Sequence, residues 1–278
     1  MNDWPRPSIG RRDALALGAG AVGAFTAGAF AFRSPAAQPP PVGDLQDRIE
    51  LAAETVRWSP DPSDGLDAFE GVEDDRSDSH PGVTHIYVED DHWRFDMHTL
   101  DRDGSDRQRN EVKGMRQNGT ALEIGEDETW RISYQAFWPR SLTATTSFTH
   151  IMQMKVQDVG GPLWTLTPRL KGGTPTLTVL TLRDDDSNTE HVLGDFAPLQ
   201  EKWIDVSFEF QASNSGGFLR WTIQDGSTTV VDDRTTDVDL WRDVNYLRPK
   251  WGIYRSLKSD GLQNTFQLLR DFRGVQIT

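Results

Sequence analysis

The sequence predicts an all-β fold, a jelly roll of the concanavalin or lectin type in which two curved antiparallel sheets face each other. Three observations predict it. Short runs alternate between apolar and polar residues, as in Trp130, Ile132, Tyr134, Ala136 and Trp138, or Ile204, Val206, Phe208 and Phe210. Period-two alternation marks strands with one buried face. Between the runs stand Gly-Gly pairs at 160–161, 172–173 and 216–217, and Asp-Gly pairs at 103–104, 225–226 and 260–261, which are turn chemistry. Past residue 81 there is almost no helical periodicity and no internal repeat, so one two-sheet domain accounts for the chain.

The elements follow in order. Residues 1–37 carry Arg11-Arg12 before an uncharged run from Ala14 to Phe32, with Ala29, Ala31, Ala36 and Ala37 as small residues around a cleavage point. This pattern resembles a twin-arginine signal and implies a secreted or extracytoplasmic protein, an uncleaved N-terminal anchor being the alternative. The run is rich in Ala and Gly, hence weakly hydrophobic, and no stable membrane insertion is expected once it is removed. Residues 38–80 read as a linker: a stiff Gln38-Pro39-Pro40-Pro41 spacer, an amphipathic helix over Leu45 to Trp58, then a loop from Ser59 to Pro81. Residues 81–278 form the sandwich. Its strands are expected at 83–89, 92–99, 130–138, 148–156, 163–168, 176–182, 203–212, 218–224 and 251–256.

Composition removes several function classes. The 278 residues contain no cysteine, which excludes disulfides, thiolate metal sites and a cysteine nucleophile. A net charge of −14 argues against nucleic-acid binding. Ten tryptophans are many. Most belong to the core, Trp164, Trp221 and Trp241 included, although any of these three is also eligible as a platform for a sugar ring.

Four segments carry chemistry. In 250–254, Lys250 and Tyr254 share one strand face, Trp251 and Ile253 anchor the other, and Gly252 leaves room for a ligand. In 106–113, Arg109, Glu111 and Lys113 share a face, with Asn110 counted among the substrate-binding candidates. In 148–155, Gln153 and Lys155 share a face, and strict alternation puts His150 on the other. His150 is therefore either re-aimed by a bulge or buried against backbone. The fourth segment, 161–169, brings Arg169 to a strand end. Glu111 beside Arg109 reads as a structural ion pair.

In this order, Arg-x-Glu-x-Lys, Gln-x-Lys and Lys-x-Gly-Ile-Tyr resemble the three strand motifs of jelly-roll polysaccharide lyases. Their wording is closest to the heparin lyase I-like and glucuronan lyase group, and the resemblance spans about residues 80–278. It implies a lyase that cleaves a uronate-containing polysaccharide by β-elimination, with an anionic polysaccharide as partner, no required cofactor and a monomeric state. Tyr254 would be the proton-transfer phenol, and Arg109 and Gln153 would grip the carboxylate. Lys250 and Lys155 would surround the phenol with positive charge. Lys155 stands where alginate lyases have histidine, which keeps alive a second reading, a non-catalytic carbohydrate-binding sandwich. His150 is the imidazole candidate for the base. Lys113 and Arg169 complete the cationic surface.

The run Asp101-Arg-Asp-Gly-Ser-Asp106 looks like a short calcium loop, with Asp101, Asp103 and Asp106 as its ligands, and some related lyases carry a structural calcium. His80, His85, His92, His98 and His191 are scattered, show no metal-ligand spacing and are expected to be surface or strand residues, His98 being the one to watch.

Overall fold

A computed structural model describes residues 52–278 apart from 158–159, 184, 186 and 243–245. The signal segment, the Pro spacer and the first part of the expected helix lie outside the described residues. The first strands are β1 (Glu54–Trp58), β2 (Gly71–Glu73), β3 (Ile86–Glu89), β4 (His92–Met97), β5 (Arg107–Lys113), β6 (Met115–Gln117) and β7 (Thr120–Leu122). Next come β8 (Thr129–Phe137), β9 (Thr149–Val156), β10 (Pro162–Lys171), β11 (Thr174–Leu182) and β12 (Asn188–Asp195). The last are β13 (Trp203–Gln211), β14 (Gly217–Asp225), β15 (Thr228–Val238), β16 (Leu247–Ser256) and β17 (Thr265–Ile277).

Two antiparallel sheets result. Sheet A runs β15-β14-β13-β8-β17-β4-β3, with β1 added along β17, and sheet B runs β12-β11-β10-β9-β16-β5-β2. The expected jelly-roll sandwich is present. Alternation explains the layering: in β8 and β13 every second side chain is buried, and the two strands pair without a break from Trp203 opposite Phe137 to Gln211 opposite Thr129. Between the sheets, Trp58, Trp93, Trp130, Trp138, Trp164, Trp221 and Trp251 are each less than 2% exposed. Trp241 is buried as well, so none of the three tryptophans held eligible as a sugar platform reaches the surface.

The segment read as linker departs from expectation. Glu54–Trp58 is a strand, not the end of a helix, and it pairs antiparallel with β17. Trp58 decides the matter: its indole is fully buried and stacks on Trp251 at 5.5 Å. A buried aromatic side chain is worth roughly 2–3 kcal/mol, more than the helix propensity of a short isolated segment. The loop read over 59–81 also contains structure. Asp61 caps a 3-10 segment, Pro62–Ala68, and Phe69 enters the same aromatic cluster before β2 joins β5. The packed sandwich thus includes residues well ahead of 81.

Strands β12, β15 and β17 escape a reading by alternation for identifiable reasons. β12 and β15 are sheet edges in which Val238 alone is buried, so no buried face marks them. β17 is central, but its pairing with β8 shifts between Arg270 and Arg273, which breaks the period.

Candidate active site

The three motif segments become neighbouring strands of sheet B, in the order β9-β16-β5. Register brings their polar faces together. Lys250 stands opposite Gln153 on one side and Lys113 on the other, Gly252 stands opposite Glu111, and Tyr254 stands opposite Arg109. Behind them Met152, Met154, Trp251 and Ile253 fill the core, so the strands are anchored from the other face.

One irregularity completes the set. Between Trp251 and Tyr254 the pairing of β16 with β9 shifts, so that Tyr254 faces His150. A residue inserted in one strand re-aims the side chains beyond it. His150 is therefore brought to the polar side: its ring lies 5.8 Å from that of Tyr254 and stacks on Phe148 at 5.1 Å, and its Nδ1 bonds the Thr167 hydroxyl at 2.8 Å. Gly252 permits this geometry. Its φ is +136°, and a Cβ there would meet the Asn110 carbonyl oxygen at 2.2 Å. Burial, then Arg169 and Arg109, hold the His150 imidazole down to about 3, which keeps it neutral.

Charge is layered. At the centre Lys250, 3% exposed, forms an ion pair with Glu73 and another with Glu111 at 3.0 Å. Gln153 donates its amide to Glu111 at 2.5 Å, and Arg109 approaches Glu73 at 3.2 Å, Glu111 at 3.5 Å and Asp103 at 2.8 Å. Burial alone would raise the Glu73 carboxyl, but Lys250 and Arg109 outweigh it and hold it at about 2. Burial would likewise lower Arg109, yet Glu111, Glu73, Tyr254 and Asp103 raise it. Above this layer lies a cleft of about 440 Å³ in which Arg76, Arg109, Lys113, Lys155, Arg248 and Lys250 face a single carboxylate, Glu73. Burial, followed by Lys250 and Arg109, lowers the pKa of Lys155, whose ammonium donates to the Gly160 carbonyl at 2.6 Å.

Tyr254 sits beside the cleft. Its ring packs under the Arg109 guanidinium at 4.0 Å, and its hydroxyl accepts a hydrogen bond from Arg107 Nη1 at 2.9 Å. The phenol thus meets two guanidinium groups on one wall.

Most of the expected site residues converge here: Tyr254, Lys250, Lys155, His150, Arg109, Gln153 and Lys113. Arg169 lies towards the edge on β10, 3.6 Å from Glu190, and close enough to His150 to depress it. Asn110 is a correction. It points to the inner face, fully buried, and donates to the Asp96 carbonyl at 2.9 Å and to Asp101 at 3.2 Å, so it cannot reach a ligand on the outer face. The calcium reading is corrected too. Asp101 is 1% exposed and turned inward, Asp103 pairs with Arg109 and Asp106 with Arg107, so the three carboxylates share no centre. Nor are the histidines all scattered, since His80, His85 and His98 converge on Asp101.

Reasoning from the sequence missed Glu73, Arg107 and Thr167 as site partners. Glu73 lies in the segment from Ser59 to Pro81 that reads as a loop, and only pairing of β2 with β5 exposes its role. Arg107 stands two residues before Arg109 and shares its strand face, a signal that was legible.

No family model matches the chain, and no curated protein matches it in sequence. Solved structures do match in shape. One is alginate lyase A1-II′, a member of polysaccharide lyase family 7, at TM-score 0.54 and 12% identity, over 79% of this chain and 100% of that one. A variant of the same family 7 enzyme in complex with the substrate GGMG gives TM-score 0.51 and 11% identity, over 70% and 82%. A second variant with the product GGG gives 0.50 and 13%, over 70% and 84%. At such identities the likeness is one of fold: this chain has the jelly-roll sandwich found in polysaccharide lyases.

Proposed function

We propose that the protein is a polysaccharide lyase that cleaves a 4-linked uronate polymer by β-elimination. The observation that carries the reading is the position of the Tyr254 hydroxyl, beside a cationic cleft, bonded to Arg107 and covered by Arg109. The C5 proton of a uronate is hard to remove because the neighbouring carboxylate already bears charge, and cations on that carboxylate lower the barrier. Arg109 and Lys155 take this role, with Gln153 offering its second amide hydrogen. The phenolate form of Tyr254, its oxygen bonded by Arg107, is the base that accepts the C5 proton. The C5–H electron pair becomes the C4=C5 double bond, the C4–O4 bond breaks towards oxygen, and the Tyr254 hydroxyl returns its proton to O4. Lys250 and Glu111 hold Arg109 and Gln153 in place and act through them. His150, neutral and tied to Thr167, orients the ring of Tyr254.

The wording of the motifs favours glucuronan, whereas the solved neighbours are alginate lyases, so both polymers belong in the test together with heparin. Export through the twin-arginine route and action as a monomer form part of the same proposal. The chain is incubated with each polymer, and the ultraviolet absorbance of the unsaturated uronate is followed. A rise with a uronate polymer that disappears in Tyr254→Phe is expected. Binding without a rise in the parent protein would overturn the reading and leave a carbohydrate-binding sandwich.

A further inference from the structure

We infer that His80, His85, His98 and Asp101 form a structural zinc site. Nothing in this inference depends on the reaction proposed above. One ligand atom from each of the four residues lies within 4.8 Å of all the others. His80 Nδ1 and His85 Nε2 aim at the same oxygen, Asp101 Oδ1, at 3.0 and 3.1 Å, and His98 Nδ1 stands 3.6 Å from Oδ2. The imidazole rings surround the carboxylate from three sides, with centroids 5.0 to 5.6 Å apart.

Orientation makes the case. His85 Nδ1 donates to Asp74 Oδ1 at 2.6 Å, which leaves Nε2 as the ring nitrogen turned to Asp101. Two imidazole nitrogens, His80 Nδ1 and His85 Nε2, thus converge on one carboxylate oxygen. His98 Nδ1 is a second sign: it is buried and has no hydrogen-bond partner. The other carboxylate oxygen is already engaged, because Asp101 Oδ2 accepts from the His98 backbone at 2.6 Å and from Asn110 at 3.2 Å. Oδ1 is the oxygen left for a metal. Asp74 is itself fixed by the backbone amides of His85 and Ile86, which gives the carboxylate–histidine support typical of metal ligands.

The donor set chooses the ion. Three imidazoles and one carboxylate in a compact group suit a tetrahedral zinc at about 2.0–2.2 Å, whereas calcium requires six to eight oxygens. Four protein ligands leave no open position for a reacting water, so the role is structural. The site's place in the fold shows what it would hold. His80 and His85 come from the segment between β2 of sheet B and β3 of sheet A, and His98 and Asp101 from the turn joining β4 of sheet A to β5 of sheet B. A metal here clamps both crossings between the sheets, directly before Arg107 and Arg109.

The test uses the full chain without a histidine tag, purified in zinc-containing buffer and dialysed. Elemental analysis should find about one zinc per chain, and chelation should lower the melting midpoint by roughly 10 °C, with zinc but not calcium restoring it. Cobalt substitution should give the intense visible bands of a tetrahedral centre. His98→Ala and His80→Ala remove partly exposed side chains; each should retain a native circular dichroism spectrum and lose zinc affinity by roughly 100-fold or more. A parent protein that holds no zinc in buffered zinc, with an unmoved midpoint, overturns the inference. So does a His98→Ala variant that binds zinc as tightly as the parent.

Discussion

The guanidinium of Arg109 lies over the ring of Tyr254, 4.0 Å from its centroid, while the hydroxyl of that ring accepts from Arg107. Holding the ring and addressing its oxygen are thus separate tasks. Tyr254→Phe keeps the stacked ring and removes only the oxygen. It should leave stability within about 0.5 kcal/mol and lower kcat by roughly 10²–10⁴-fold. Denaturant unfolding beside a lyase assay measures both, and a large loss of stability would point to a packing role instead.

Lys155 should show itself on the alkaline side. Its pKa is lowered by burial and by Lys250 and Arg109, so it loses its charge at a lower pH than an ordinary lysine. Affinity for a uronate oligomer should therefore decline with rising pH before the usual lysine range. Lys155→Arg should move that decline to higher pH, and Lys155→Met should cost roughly 10²-fold in kcat/KM at neutral pH. An unchanged alkaline limb in the arginine variant would remove Lys155 from substrate contact.

Lys250 neutralises Glu73 and Glu111 beneath the cleft. Lys250→Met would leave the buried carboxylates Glu73 and Glu111 short of one cation, with Arg109 still shared between them, at a cost of up to about 3–5 kcal/mol. Adding Glu73→Gln should recover part of the loss, since one of the two negative charges disappears. Equal destabilisation in the single and double variants would show that the pair is not coupled.

Acid should erode the stability of the fold over two pH windows. His150 is held down to about 3 from 6.5, so the unfolded chain takes up its proton first. The stability it provides is complete above pH 6.5 and is lost as pH falls towards 3. Glu73, held at about 2 against 4.5, contributes fully above pH 4.5 and loses its share below that. Each group adds a slope of up to about 1.4 kcal/mol per pH unit within its window. In thermal melts, His150→Gln should flatten the decline between pH 6.5 and 4.5 relative to the parent and keep the one below. Identical profiles would mean that His150 is protonated in the fold.

Much of this was legible in the sequence, and the reasons differ by residue. Alternation in Trp130–Trp138 and Trp203–Phe210 reveals both strand and buried face, because burial and period coincide there. Parity placed Lys250 with Tyr254 on one strand face, and the resemblance to lyase motifs joined them to Arg109 and Gln153. Parity also failed at His150, where an added residue opposite Ile151 reverses the face, and such insertions leave little trace beyond a glycine. Asn110 was misplaced for a plainer reason, since its neighbours Arg109 and Glu111 already claimed the outer face. The histidine cluster has no sequence spacing to find, because its members meet only when β3, β4 and β5 assemble.

The position of β17 has a consequence for how the molecule is made. It lies between β8 and β4 and also receives β1, so Glu54 pairs with Ile277. Sheet A therefore has a gap at its centre until β17 itself has been synthesised, and the earlier strands wait with open edges. Topologies dominated by such distant pairings fold slowly and are prone to association meanwhile. Refolding from denaturant should be slow and concentration-sensitive, and a cell making this protein gains from a chaperone that shields β8 and β4 until their shared neighbour emerges.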